Sequence, residues 1–226
     1  MKKSLNVTKR RNRIVALCLL VLMIVTVMIP GADSQAAGKG WEKAYHSFLK
    51  NWKQVENYID LEYVKMYFGK DYKFKRYFVC DVDGNGIPEL FLYNEKMNGL
   101  SAVLTYQKGK IKGVGYVAAT AINKKRRVLV EHGHWHGAGG SGIDEYQIYR
   151  IQKKKGKVEL GQIQYFDRMP NRYCFSTGDN WTTKKITDKK AKKRYNSLYK
   201  KYVSPSISLK KFKKYKFTDK KGLKPQ

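Results

Sequence analysis

Between residues 76 and 175 the chain is a succession of short runs of aromatic, aliphatic and β-branched residues, broken every few positions by turn residues. That pattern leaves few folds open. The runs fall at 77–80, 90–93, 102–107, 111–117, 128–131, 145–151, 158–166 and 173–175. Lys108-Gly109-Lys110 and Lys155-Gly156-Lys157 are tight hairpin connections of a kind that needs a residue at positive φ, which glycine supplies without steric cost. Strand following strand through short turns predicts an antiparallel β-meander and not a parallel α/β sheet. Ahead of the strands, Trp41, Ala44, Tyr45, Phe48, Leu49, Trp52, Val55 and Ile59 recur at helical spacing, with Lys43, Lys50, Lys53 and Glu56 turned outward. This predicts an amphipathic N-terminal helix whose stripe is core. After the strands, Thr187 or Asp188 can cap a helix with Ala191, Tyr195, Leu198, Tyr199 and Tyr202 on one face, ended by Ser204-Pro205. The expected class is therefore α+β: N-terminal amphipathic helix, antiparallel β-meander, C-terminal helix with a basic tail.

One connection differs from the others. Asp81-Val82-Asp83-Gly84-Asn85-Gly86-Ile87-Pro88-Glu89-Leu90 sets hard oxygen ligands at alternate positions of a glycine turn. The side chains of Asp81, Asp83 and Asn85, the main-chain carbonyl of Ile87 and the carboxylate of Glu89 fall at loop positions 1, 3, 5, 7 and 9, with Gly86 at the sixth. That arrangement suits calcium. An EF-hand would carry a bidentate acid at position 12, where this sequence has Leu92, and the flanking runs read as strands and not as helices. The expectation is a strand-loop-strand calcium site, with an Asx-stabilised turn as the metal-free reading of the same residues.

A weak calcium site fills only where the ion is near millimolar, which points outside the cell. The N-terminus agrees. Lys2, Lys3, Lys9, Arg10, Arg11 and Arg13 precede an uncharged run at residues 14–29, Pro30-Gly31 ends it, and Ser34-Gln35-Ala36 offers small residues for a cut after Ala36. This reads as a cleaved secretory signal. Cys18 lies in the middle of the apolar run, which argues against a lipoprotein anchor, and no transmembrane segment is expected in the mature chain. The organisation expected is a signal over 1–36, an α+β domain with the calcium loop over 37–182, and a lysine-rich helix and tail over 183–226.

Charge suggests what the secreted chain would meet. The whole sequence carries 47 Lys and Arg against 18 Asp and Glu, and removal of the signal leaves about +24. From residue 183 onward there are 17 basic residues and two acids, with Arg194 the one arginine. Lysine is a hydrated point charge, so non-selective, salt-sensitive attraction to a polyanion follows more readily than sequence reading. The partners expected are an anionic cell-wall polymer, a glycan or another extracellular polyanion, with nucleic acid less favoured. Tyr199, Tyr202 and Tyr215 are read as exposed stacking groups, residues 207–217 as a last edge strand or a surface-binding arm, and residues 218–226 as frayed. Cys80 and Cys174 fit either one disulfide or two buried thiols.

A second constellation competes for function. In a strand, His132, His134 and His136 point to one face at a period of two, so three imidazoles could meet zinc, with Asp144 or Glu145 as a base. That describes a zinc-dependent hydrolase. The adjoining glycines favour a surface loop carrying polar histidines, and the leading expectation is a binding protein with no catalytic activity.

The loop, with its Asp-x-Asp-Gly-Asn-Gly-x-Pro-Glu-Leu core, resembles the calcium-loop strand pairs of FG-GAP and VCBS-type extracellular repeats. The wider plan is similar to a group of secreted clostridial proteins: signal, Trp-x-Lys-Ala-Tyr helix, Asp-rich loop, Tyr-x-Lys-Gly-Lys hairpin, glycine-rich His segment, Tyr-x-Ile-Tyr-Arg-Ile strand and lysine-rich tail. The resemblance implies calcium at Asp81, Asp83, Asn85, Ile87 and Glu89, and it implies no activity. Propellers repeat such a loop in each blade, and here it occurs once, so a complete propeller is not expected.

Overall fold

A computed structural model describes residues 33–69, 72–94, 100–136, 142–178 and 180–226. Most of the signal segment lies outside these residues, and the expected cut after Ala36 falls within the first described helix. Elements follow in the order α1 (Asp33–Lys50), a 3-10 turn (Trp52–Asn57), α2 (Glu62–Phe68), β1 (Arg76–Cys80), β2 (Glu89–Tyr93), β3 (Ser101–Gln107) and β4 (Lys110–Val117). Then come β5 (Ala119–Asn123), β6 (Val128–His136), β7 (Gly142–Lys154), β8 (Lys157–Arg168), β9 (Arg172–Thr177), β10 (Asn180–Lys185), α3 (Lys189–Leu198) and a short β11 (Ile207–Ser208). The protein is α+β with antiparallel sheets. The expected helical stripe continues past the end of α1: the chain leaves α-geometry at Asn51, and Val55 and Ile59 reach the core from the 3-10 turn and the residues after it.

The meander divides into two sheets, ordered β1-β2-β3-β4 and β10-β9-β8-β7-β6-β5-β11. Both Lys-Gly hairpins have the expected turn chemistry, with positive φ at Lys108 and Gly109 and at Lys155 and Gly156. Alternation along the strands decides the layering. In the four-stranded sheet Tyr77, Val79, Leu90, Leu92, Ala102 and Leu104 meet Tyr45 and Phe48 of α1, while Phe78, Phe91 and Val103 meet Ile122 and Leu129 of the larger sheet. The larger sheet sends Val128, Val130, Ile148 and Phe166 the other way, onto Ala191 and Tyr195 of α3. Residues 40–226 thus stack as helix, sheet, sheet, helix, and β2 is buried on both faces, which is why it reads as a continuous apolar run. Phe78 and Phe91, cross-strand partners, stack with centroids 4.6 Å apart.

The C-terminal segment corrects one expectation and decides between the two readings of residues 207–217, whose start is the last edge strand. Residues 218–226 are not frayed: Leu223 is buried, Asp219 caps a final 3-10 turn, and the Gln226 N–H donates to the Val79 carbonyl. Nor is the preceding stretch a binding arm. Ile207 and Ser208 pair with Ile122 and Ala121 at the edge of the larger sheet, Leu209 and Phe212 enter the layer between the sheets, and Tyr215 exchanges backbone hydrogen bonds with Tyr77 along the open edge of β1. One tail therefore covers an edge of each sheet, with its lysines outward. Tyr202 is buried and Tyr215 packs on Tyr77, so of the three tyrosines read as exposed only Tyr199 is so. Gly40–Gln226 forms one compact unit.

Candidate metal centre

The loop between β1 and β2 is strand-loop-strand, as its sequence requires, because Cys80 and Glu89 are direct antiparallel partners at its base. Inside, each acidic or amide side chain accepts from the backbone ahead of it. Asp81 takes the N–H groups of Gly84 at 2.8 Å and Gly86 at 3.0 Å, Asp83 takes that of Asn85 at 3.1 Å, and Asn85 takes that of Ile87 at 2.7 Å. Gly84 and Gly86 sit at φ +70 and +82, where side chains are disfavoured. Nothing lies within 4 Å of a Cβ built on Gly86, so Gly86→Ala isolates the conformational cost. Thermal or urea melts of that variant are expected to show a loss of about 1–2 kcal/mol.

Asp81, Asp83 and Glu89 place one carboxylate oxygen each within 4.8 Å of one another. Among the described residues no other group of three or more His, Cys, Asp or Glu side chains converges so closely. Glu89 is fully buried, with the Val82 N–H donating at 2.9 Å and the Thr105 hydroxyl at 3.3 Å, and no basic side chain among the described residues pairs with it. Burial, reinforced by Asp83, pushes its carboxyl up to about 8; burial likewise raises Asp83. The Tyr45 hydroxyl, from α1, donates to the Pro88 carbonyl at 2.9 Å and fixes the exit of the loop. Three convergent carboxylates with one out of reach of water need a proton or a cation. A hard, oxygen-preferring ion such as calcium fits this donor set, with Asn85 and the Ile87 carbonyl adjoining.

Asp83, Asn85 and Ile87 also form one wall of a cleft of about 720 Å³. Its other walls carry Lys108 from the β3–β4 turn, Lys125, Arg126 and Arg127 from the β5–β6 turn, and Arg150 and Lys153 from β7. Arg127 leans on the loop: a Cβ at Gly84 would lie 2.7 Å from its Nε. Sequence reading missed this grouping because its members come from three separated segments.

The histidines are brought onto a strand and not a loop as far as His136, while residues 137–141 lie outside the described set. Asp144, the partner of His134 across β6 and β7, has Oδ1 2.9 Å from His134 Nδ1 and 3.5 Å from His132 Nε2. His134 and His136 meet edge to face at 4.8 Å, and His132 stacks on Tyr146. His132 and His134 thus share Asp144, but no three of these groups are among those whose ligand atoms converge within 4.8 Å. Cys80 and Cys174 are free, buried thiols in different sheets; burial pushes the Cys80 thiol up to about 12 and also raises that of Cys174.

No family model matches the chain, and no curated protein or solved structure matches it either. Among the described residues no helix is long and apolar enough to cross a membrane.

Proposed function

We propose that this is a secreted, calcium-binding protein of the cell surface, in which the ion rigidifies the β1–β2 loop and the folded domain attaches to an extracellular polyanion without catalysing a reaction. The observation that carries the reading is the convergence of Asp81, Asp83 and Glu89 around a carboxylate that is fully buried and has no basic partner among the described residues. Asn85 and the Ile87 carbonyl would complete the protein's oxygen donors, in the order the loop sequence anticipates. The excess of lysine, much of it on the outer face of α3 and along the tail, supports attachment to an anionic polymer.

The test is metal analysis of the purified protein after dialysis against calcium. One calcium per chain, lost in Asp81→Asn/Glu89→Gln, is the expected result. Stoichiometric zinc that disappears on changing His132, His134 or His136 would replace this reading with the zinc hydrolase, and no metal of either kind would end it.

A further inference from the structure

The polyanion need not be sought on the lysine-rich tail, much of which is committed to the fold. Arg194, the tail's one arginine, lies 4.3 Å from the Phe175 ring centroid, and Lys213 and Lys214 sit over the rings of Tyr215 and Tyr93. The cations of the cleft beside the loop are differently placed. None of the six has an ion-pair partner among the described residues, and three of them are arginines, whose planar fork matches a tetrahedral oxyanion in a way lysine does not. Six cations against the single carboxylate of Asp83 leave a large positive excess in one concavity, which is unfavourable unless a further anion enters, and a concave wall focuses the resulting field.

The cleft is also built to hold its shape. Asn123, fully buried, anchors the turn that carries Arg126 and Arg127: its Oδ1 accepts from the Arg126 N–H at 3.0 Å, and its Nδ2 donates to the Tyr202 carbonyl at 2.9 Å. Arg127 itself is held at φ +56. The volume falls in the ordinary range for small-ligand sites, about 300–1,000 Å³. Base recognition is disfavoured, since Tyr106, whose hydroxyl end meets Gly40, is the one aromatic residue in the described lining and successive bases would lack a series of stacking rings.

We infer that this cleft binds the phosphate groups of a linear, base-free anionic chain, and that a phosphate oxygen bound there adds to the coordination of the calcium ion held by Asp81, Asp83 and Glu89. Calcium takes six to eight oxygens, and three of the loop's donor residues face the cleft, so ion and anion share a boundary. The coupling half of this inference rests on the calcium reading above; the cleft half does not. Thermodynamic linkage requires that calcium tighten the anion and the anion tighten calcium by the same factor.

Anisotropy of a labelled, abasic phosphodiester oligomer tests both halves, read in calcium and in chelator at fixed ionic strength. The abasic oligomer should bind, and calcium should tighten it. Arg126→Ala/Arg150→Ala should weaken it by roughly ten-fold or more, while Arg126→Lys/Arg150→Lys, which keeps the charge, should fall between. Lys50→Ala/Lys53→Ala, two exposed lysines outside both the cleft and α3, should leave it within about two-fold. Unchanged affinity in the arginine variants, each checked for a wild-type melt, would overturn the cleft. Equal binding of poly-glutamate would overturn phosphate recognition, and tighter binding of a thymidine oligomer would overturn the base-free assignment. If the arginine variants lose the anion but calcium has no effect on it, metal stoichiometry separates the causes. An ion bound without coupling removes the shared-ligand step alone, whereas no ion bound removes the calcium reading and leaves the cleft standing.

Discussion

Calcium added to the protein at pH 7 is expected to displace close to one proton per ion bound and to raise the melting temperature by roughly 5–10 °C over chelator. Both effects come from Glu89. Its carboxyl is raised to about 8 by burial, from an ordinary value of 4.5, so without metal it is largely protonated near neutrality. The ion needs the carboxylate, and the proton must leave. Without calcium the sign follows directly: between about 4.5 and 8 the folded state holds a proton that the unfolded state has released. The contribution of Glu89 is therefore fully present below 4.5 and is lost as pH rises through 8, a change on the order of a few kcal/mol. Calcium cancels that slope, because binding strengthens with pH as the carboxylate becomes available and the bound ion keeps Glu89 ionised in the folded state. Calorimetric titration in two non-coordinating buffers of different ionisation enthalpy counts the proton. Glu89→Gln should release none, bind calcium at least about ten-fold more weakly, and flatten the pH dependence of the metal-free melt. Calcium binding with no proton exchange near pH 7 would mean that Glu89 is already ionised and that the buried-acid account of the site is wrong.

Deletion of residues 207–226 is expected to abolish cooperative folding. Leu209, Phe212 and Leu223 are all buried, and burial of each contributes about 1.5–3 kcal/mol. Their sum is comparable with the whole stability of an ordinary domain, about 5–15 kcal/mol. The deletion also opens the β1 edge and the β5 edge together. Near-ultraviolet circular dichroism and a urea melt check it: the truncated chain should lack both a tertiary signal and a sharp transition. Neutralising Lys192 and Lys193 on the outer face of α3 should move the midpoint by no more than about 2 °C, as exposed substitutions do. A truncated protein that melts cooperatively near the wild-type midpoint would return the tail to the role of an appended polycation.

The contrast between loop and tail shows what the sequence makes legible. Every ligand of the loop lies within nine residues, so spacing alone brings Asp81, Asp83 and Asn85 onto one turn, and the Lys-Gly hairpins are equally local. β5 and β10 are not legible locally because Ala119-Thr120-Ala121-Ile122-Asn123 and Asn180-Trp181-Thr182-Thr183-Lys184-Lys185 each hold a single large apolar residue among small and polar ones, and their pairing comes from neighbours. The division into two sheets turns on Ala118 alone, the one residue between β4 and β5, which carries no breaker signal. In the tail, Leu209, Phe212, Tyr215 and Phe217 follow neither a helical nor a strand period, and the lysines between them gave the stretch the look of a solvated arm. The burial of Glu89 and the assembly of the cleft depend on tertiary contacts between Asp83, Arg127 and Arg150, which no local window contains.

The pairing of Tyr77 with Tyr215, and of the Tyr77 hydroxyl with the Asp219 carbonyl 142 residues further on, has a consequence for the life history of the chain. A first strand whose outer edge is completed by residues so far along the chain cannot finish folding until residues 207–223 have been made. Until they are available, β1 offers an unpaired edge and the layer between the sheets lacks Leu209 and Phe212. A chain with that property stays open for as long as residues 207–223 are withheld, and it locks only once they join the edges of the two sheets. Completion of the fold then reports that both distant segments are present, and a chain cut ahead of residue 207 is left open to proteolysis.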